Sequence, residues 1–155
     1  MTERKKTGKP VFRMLSRDEA EAVLTRNHVG RVAFTFHSRV DLEPVSYVYA
    51  DGWIYLRTSS GTKLSTVVHN RWVAFEVDEV DGMFDWRSTV VKGTVEVIPH
   101  EVASAQNPLY EQALALLRRH VPETFTSEDP VPFRQFVLRI HLDEVTGREA
   151  RSAEG

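Results

Sequence analysis

The sequence lacks cysteine altogether among its 155 residues, which excludes disulfides, thiolate metal sites and a cysteine nucleophile. It also lacks an apolar run near the roughly 20 residues that a membrane-spanning helix needs. The first ten residues carry charges with no apolar segment behind them, so they do not have the pattern of a secretory signal. These absences predict a cytoplasmic protein with no membrane partner.

An excess of positive charge is missing as well. The 20 basic and 22 acidic residues give a net charge of −2, which argues against nucleic acid as a partner, because duplex and single strands are bound through many phosphate contacts. The serines lack a G-x-S-x-G context, so a serine hydrolase is not expected. No metal site is predicted, because none of the compact ligand spacings occurs among the six histidines, at 28, 37, 69, 100, 120 and 141.

Helical signals are few. Ser16-Arg-Asp-Glu19 has the pattern of a capping box and predicts a helix to about Asn27, which Gly30 is expected to end. Hydroxyl residues and a glycine precede a second helical pattern that begins near Thr62. A third helix is predicted over Leu109 to His120 after Pro108, where proline is tolerated.

Alternation of apolar and polar residues is the dominant pattern in the rest of the chain. It predicts six strands, and Asp51-Gly52 between two of them predicts a tight hairpin. Six strands without a regular strand-helix alternation indicate a mainly β, largely antiparallel barrel or sandwich. The predicted strands lie at 31–37, 44–50, 53–58, 72–79, 87–98 and 134–145.

The length suits one domain. We expect a disordered N-terminal arm at 1–12, a single domain at 13–147 and a disordered C-terminal tail at 148–155. Within the domain, 121–133 contains three prolines and is predicted to be a long loop, of the kind that often serves as a lid or interface arm.

Residues 53–63, Trp-Ile-Tyr-Leu-Arg-Thr-Ser-Ser-Gly-Thr-Lys, carry the strongest functional signal. A strand here leads through hydroxyls and a glycine into a helix, whose N-terminus offers unpaired N–H groups to an anion. Arg57 and Lys63 would add charge to such a phosphate cradle, and Ser59 and Thr62 would add short donors. The alternative interpretation is that a serine caps the helix and Lys63 lies in solvent.

Four segments in this order resemble the flavin mononucleotide (FMN)-binding split-barrel family that includes pyridoxamine phosphate oxidase, especially its short nitroimidazole-resistance (Nim-like) branch. They are Asn27-His-Val-Gly-Arg-Val-Ala-Phe34, Asp51-Gly-Trp-Ile-Tyr-Leu-Arg-Thr-Ser-Ser-Gly-Thr-Lys-Leu64, Trp86-Arg-Ser-Thr-Val-Val-Lys-Gly93 and Arg139-Ile-His-Leu-Asp-Glu-Val-Thr-Gly147.

The resemblance implies a six-stranded antiparallel split barrel that forms a homodimer and binds FMN in clefts between the subunits. It places the flavin ring along the main chain of the strand that contains Val45, Ser46 and Tyr47. The third of these segments, Trp86 to Gly93, would contribute Ser88 as a polar contact to the cofactor. Trp86 and Arg87 would lie beside the cofactor as well, either in this subunit or in its partner. The implied phosphate contacts are Arg57, Thr58, Thr62 and Lys63, with Ser59 from the cradle pattern.

The implied function is an FMN-dependent oxidoreductase that acts on a small electrophilic or aromatic molecule, with a nicotinamide compound as electron donor. The chain departs from true pyridoxamine phosphate oxidases at its end, where Arg139-Ile-His-Leu142 stands in place of their arginine-leucine-histidine element. The vitamin is therefore not the expected substrate. No catalytic acid or base is identified, and two alternatives remain: a deazaflavin-dependent reductase, and a flavin- or haem-binding protein without turnover of its own.

Overall fold

A computed structural model describes residues 8–59, 61–100 and 108–153, apart from the side chains of Thr62, Lys63 and Val68. Within these ranges the chain forms seven strands and three helices. The helices are α1 (Arg17–Arg26), α2 (Thr62–His69) and α3 (Leu109–Leu117). The strands are β1 (Val11–Met14), β2 (Val29–Phe36), β3 (Arg39–Ala50), β4 (Trp53–Thr58), β5 (Trp72–Gly82), β6 (Asp85–Ile98) and β7 (Phe136–Arg151).

The strands form one antiparallel sheet in the order β1-β7-β4-β3-β2-β5-β6, and β6 also pairs with β7. That last pairing runs from Trp86 opposite Ala150 to Ile98 opposite Val137 and closes the sheet into a barrel. Closure pairs the backbone groups that an open sheet would leave at its edges. The prediction of a mainly β, antiparallel barrel is confirmed.

β1 is the strand that the sequence pattern did not predict. It pairs with the end of β7, from Val11 opposite Arg151 to Met14 opposite Arg148. All four of its residues are exposed, so it lacks the alternation that marks a half-buried strand. Regular structure therefore extends past the expected limits of 13 and 147 in both directions.

The barrel interior is filled by apolar side chains that alternate along the strands, among them Phe75, Ile54 and Leu138. α1 closes one end of the barrel by burying its apolar stripe of Ala20, Val23 and Leu24. Full burial of such a side chain stabilises the fold by about 1.5–3 kcal/mol. The barrel is thus a rigid support for residues on its outer surface.

A second apolar cluster lies outside the barrel, where α3 packs against β3, β4 and β7. Ala113 and Leu117 of α3 contact outward-facing residues such as Val48 and Tyr55, and all four are buried. These strands are therefore covered on both faces at this point. α3 ends at Leu117, three residues before the predicted end at His120.

The capping box at the start of α1 is confirmed. Ser16 Oγ accepts a hydrogen bond from the Glu19 N–H at 3.2 Å, and the Ser16 N–H donates to Glu19 Oε1 at 3.1 Å. The helix ends at Arg26, one residue before the predicted end. Gly30 does not terminate it, because Gly30 lies within β2, where an added Cβ would come within 2.3 Å of the Phe75 ring. Glycine is needed here for close packing rather than for a turn.

Two tight turns shape the hairpins around β3. Asp51 and Gly52 have φ values of 50° and 81°, which confirms the turn predicted between β3 and β4. His37 and Ser38 make the corresponding turn between β2 and β3 with φ values of 46° and 62°. Neither residue is glycine, so residue type is only a weak signal for this turn.

Candidate functional site

A cavity of about 430 Å³ lies on the outer surface of the barrel between the sheet, the end of α3 and the segment that follows it. We call it the α3 cavity. β3 supplies one wall, β4 supplies Arg57, and the start of β2 and the residue before it form the rim. The lining residues are His28, Val29, Ser46, Tyr47, Val48, Arg57, Leu117, His120, Val121, Thr124, Pro130, Val131 and Arg134.

Arg57 is the most firmly held charged residue of this cavity. Its guanidinium donates to both carboxylate oxygens of Asp129, at 3.1 and 2.7 Å, and their side chains are only 7% and 2% exposed. It also donates to the Arg134 carbonyl at 3.0 Å and lies 4.2 Å above the Phe125 ring. The positive charge of Arg57 is therefore neutralised within the chain.

Asp129 organises the segment opposite Arg57. Its carboxylate also accepts the N–H groups of Phe125 and Val131, at 2.8 and 2.9 Å. The hydrogen bond from Arg57, with those two N–H groups, lowers the pKa of Asp129 to about 2 against the opposing effect of burial. The predicted long loop at 121–133 is consequently fixed to the barrel by a buried ion pair.

Two histidines meet at the rim of the cavity. The rings of His28, just before β2, and His120, just after α3, have centroids 4.0 Å apart. Burial lowers the pKa of His120, and the neighbouring His28 and Arg119 lower it further. Arg134 lines the same cavity from the segment that leads into β7.

The predicted phosphate cradle lies where β4 passes into α2. Thr58 is buried at the end of β4, Ser59 is exposed, and α2 begins after Gly61, whose φ is 145°. Because a glycine is the N-cap, the cap residue itself offers no side-chain acceptor to the first turn of the helix. The backbone of Thr62 and Lys63 forms that first turn, whereas their side chains lie outside the described part of the structure.

A second cleft, of about 510 Å³, is lined by Trp86 and Arg87 of β6. We call it the Trp86 cleft. At its centre Glu149, with a side chain only 4% exposed, accepts hydrogen bonds from Arg13, Arg87 and Arg151 at 2.8 to 3.0 Å. Burial raises the pKa of Glu149, but the three arginines outweigh it, so the net shift is downward.

The remaining lining residues of the Trp86 cleft are mostly charged. Arg26 donates to both carboxylate oxygens of Glu79, at 3.1 and 2.7 Å, and Asp85 accepts from the N–H and hydroxyl of Ser152, at 3.0 and 2.6 Å. Acidic and basic groups in this cleft are thus largely paired with each other.

The predicted cofactor residues therefore fall into separate places on one chain. Ser46, Tyr47 and Arg57 line the α3 cavity, and Trp86 and Arg87 line the Trp86 cleft. In the order of the sheet, β7 separates β4 from β6 on one side, and β2 and β5 separate β3 from β6 on the other.

Two further predicted residues are committed to interactions within the chain. Val45 is buried in the barrel core. Ser88 on β6 donates its hydroxyl proton to Glu76 at 2.8 Å.

Sequence reasoning did not assign to a site several residues that line the α3 cavity, among them His28, Leu117, His120 and Arg134. The histidines are far apart in sequence and show no ligand spacing. Leu117 lies within the third predicted helix, Leu109 to His120, which carried no functional signal. Arg134 was placed at the start of a predicted strand. Only the packing of α3 against β3 and β4 brings these residues together.

Comparison with known proteins agrees with this architecture. The family model for pyridoxamine 5'-phosphate oxidase matches residues 16–149. A crystal structure of an FAD-binding protein from Mesorhizobium loti is 29% identical, with a TM-score of 0.72, over 92% of this chain and 99% of that one. A putative pyridoxamine 5'-phosphate oxidase from Corynebacterium glutamicum is also 29% identical, with a TM-score of 0.66 and the same coverage.

The Nim-like branch is represented among similar structures too. A putative 5-nitroimidazole antibiotic resistance protein from Bacteroides thetaiotaomicron is 16% identical, with a TM-score of 0.65, over 95% of each chain. At that identity the likeness shows the shared fold alone. The family match, by contrast, covers most of the sequence, and the antiparallel barrel of six strands, with β1 added at β7, agrees with it. The chain therefore belongs to the pyridoxamine 5'-phosphate oxidase family of split-barrel proteins.

Proposed function

We propose that this protein is a flavin-nucleotide-dependent oxidoreductase whose flavin ring lies against β3 in the α3 cavity and whose phosphate lies at the turn from β4 to α2. One observation carries the proposal. Ser46, Tyr47 and Arg57, which were expected at the cofactor from sequence alone, converge on one cavity in a member of this family.

The character of the cavity fits a flavin. Apolar side chains such as Val48, Leu117 and Val131 supply a wall for a flat ring, and no carboxylate is among the residues that line it. Basic groups near the ring favour its reduced, negatively charged form. A bound flavin would supply two-electron chemistry, while the chain would bind it, orient it and shield it from water.

Arg57 fits the phosphate less directly than the sequence pattern implies. Its charge is neutralised by Asp129, and most of its N–H groups already donate within the chain. The phosphate charge would therefore be met mainly by Lys63 and by the N–H groups at the start of α2. Arg57 would then act chiefly by holding the segment 121–133 over the cavity.

The choice between FMN and FAD is open to direct test. The family resemblance implies FMN, whereas the 29% identical relative from Mesorhizobium loti is described as FAD-binding. Both flavins share the ring and the first phosphate, so both would use the same cavity and turn.

The first experiment is an absorbance titration of the purified protein with FMN and with FAD. Lys63→Ala should weaken the binding of the preferred flavin by about 10- to 100-fold, since it removes a charged hydrogen bond worth roughly 1.5–3 kcal/mol. Lys92→Ala is the matched control, because Lys92 is exposed on β6 and its nearest carboxylate is 3.9 Å away. If neither flavin binds, the proposal is wrong, and titration with a deazaflavin coenzyme and with haem would identify the replacement.

Turnover separates an enzyme from a carrier. We expect a nicotinamide donor to reduce the bound flavin and a small electrophilic or aromatic acceptor to reoxidise it. A flavin that binds but is not reduced by any nicotinamide donor would instead identify a flavin-binding protein without its own activity.

We further propose a homodimer in which a second copy brings its Trp86, Arg87 and Ser88 to the flavin. The proposal is supported by the division of the predicted residues between two different clefts of one chain. Light scattering should therefore give twice the chain mass, and Trp86→Ala should weaken flavin binding by roughly tenfold through loss of an aromatic contact. A monomer with full flavin affinity would exclude this arrangement.

A further inference from the structure

One part of the α3 cavity concentrates basic and titratable groups that the flavin proposal does not use. His28, His120 and Arg134 all line it, and each comes from a different segment: the residue before β2, the residues after α3, and the approach to β7. None of the thirteen residues around the cavity is an aspartate or glutamate. The uncompensated charge of this wall is therefore positive.

Arg134 contributes that charge. Its guanidinium carbon lies 5.9 Å from the centroid of the Phe133 ring, and within the described ranges it takes part in no salt bridge. Arg57, by contrast, is neutralised by Asp129 at 2.7 Å. Of the two arginines that line the cavity, Arg134 is the one without a carboxylate partner among the described residues.

The two imidazoles are in contact, with ring centroids 4.0 Å apart. The charged groups around them are Arg119, which acts on His120, and Arg57 and Arg134, which line the same cavity. The remaining titratable group, Tyr47, donates its hydroxyl to the Leu24 carbonyl at 2.6 Å.

Burial lowers the pKa of His120, and His28 and Arg119 lower it further. An anion beside the pair would reverse that effect, because opposite charge favours the protonated imidazole.

We propose that this part of the α3 cavity binds the carboxylate of a largely apolar organic acid, held by Arg134 and the His28–His120 pair, with uptake of a proton. The apolar body of the acid would lie against Val121, next to His120, and leave Val48 and Leu117 to the flavin ring. That such an acid is the substrate of the enzyme rests on the proposed flavin function. Binding of the acid can be measured without flavin.

The test uses 2-naphthoate as the acid and 2-naphthamide as its neutral counterpart, titrated into the purified full-length protein and followed by calorimetry and by NMR of the histidine ring protons. We expect naphthoate to bind and naphthamide to bind at least about tenfold more weakly, which is the effect of losing one charged contact. Affinity for naphthoate should rise about three- to tenfold from pH 8.5 to 5.5, a range in which the acid itself stays ionised. The His28 and His120 resonances should move on binding.

Single substitutions identify the residues that contact naphthoate. Arg134→Gln and His120→Gln should each weaken naphthoate binding about tenfold, and His120→Gln should also flatten the pH dependence. Arg39→Gln and His69→Gln remove the same groups at exposed positions that do not line the cavity and should leave affinity unchanged. If a variant fails to fold, the comparison of naphthoate with naphthamide on the unaltered chain still decides the question.

The outcomes separate this inference from the flavin proposal. Equal binding of the acid and the amide, or naphthoate affinity independent of both Arg134 and pH, would overturn the acid subsite even if flavin binds. Binding of naphthoate with the expected charge and pH dependence would support the subsite even if the flavin titration fails.

Discussion

The α3 cavity and the Trp86 cleft are similar in size, about 430 and 510 Å³, but opposite in how their charges are arranged. In the Trp86 cleft, Glu149 accepts hydrogen bonds from three arginines, and Glu79 and Asp85 have partners of their own. In the α3 cavity the single buried ion pair lies to one side, and Arg134 and two histidines line the space with no acidic residue among them.

The difference shows that volume alone does not identify a binding site. A cleft whose charges already satisfy one another gains little by admitting a charged ligand, because each new contact replaces an existing one. A cavity with apolar walls and uncompensated donors gains contacts that nothing else supplies. On this reasoning we propose the α3 cavity as the place where a single chain receives its ligand. Glu149 with Arg13, Arg87 and Arg151, here called the Glu149 cluster, holds β1, β6 and β7 together.

The largest effect is expected from breaking the ion pair beside the α3 cavity. Asp129→Ala leaves the Arg57 guanidinium buried without its partner, which should lower the free energy of unfolding by about 3–5 kcal/mol. Urea denaturation measures this change. Glu128→Ala, an exposed carboxylate in the same segment, is the control and should change stability by no more than about 0.5 kcal/mol. An equally small effect of Asp129→Ala would mean that the segment is not held by this pair.

Acid should weaken the same contact without a mutation. Because the pKa of Asp129 is lowered to about 2 in the folded protein, its contribution to stability is full above the ordinary carboxyl pKa near 4 and is lost as pH falls toward 2. The stability difference between the unaltered chain and Asp129→Asn should therefore shrink below about pH 4. Denaturation of both proteins from pH 7 to pH 2 checks this, and a difference that stays constant down to pH 2 would contradict it.

A smaller loss is expected from the Glu149 cluster. Its three arginines have side chains that are 29% to 63% exposed, against 7% for Arg57, so they regain water when the carboxylate is removed. Glu149→Gln should therefore cost about 2 kcal/mol of unfolding free energy. Glu144→Gln, 59% exposed, serves as the control and should be nearly neutral. A cost above that of Asp129→Ala would reverse our ranking of the two regions.

The fold was largely predictable because its signals are local. Alternating residues marked six strands, the Ser16 to Glu19 spacing marked the start of α1, and Asp51-Gly52 marked a turn. The misses also have local causes. Every residue of β1 is exposed, so the strand has no alternating pattern. Gly30 is required because the Phe75 ring, from a residue distant in sequence, packs against it.

The candidate site was less predictable because its contacts are long-range. Arg57 carried a correct signal for the cavity, but its partner Asp129 lies 72 residues away and no motif connects them. His28 and His120 likewise come together only when α3 packs on the sheet. Residue type and spacing therefore predicted the wall that β3 and β4 form. The opposite wall, from the end of α3 and the segment after it, depends on tertiary packing.

The smallest effect should come from Ser88, which the sequence placed at the cofactor. Its hydroxyl proton is donated to Glu76 at 2.8 Å, and Glu76 also lies 3.6 Å from Arg31. Ser88→Ala removes one half-buried hydrogen bond and should lower stability by about 1 kcal/mol. Flavin affinity should fall by no more than about threefold, because the hydroxyl has no second proton to donate to a ligand. A tenfold loss of flavin affinity with unchanged stability would show that the hydroxyl leaves Glu76 for the cofactor.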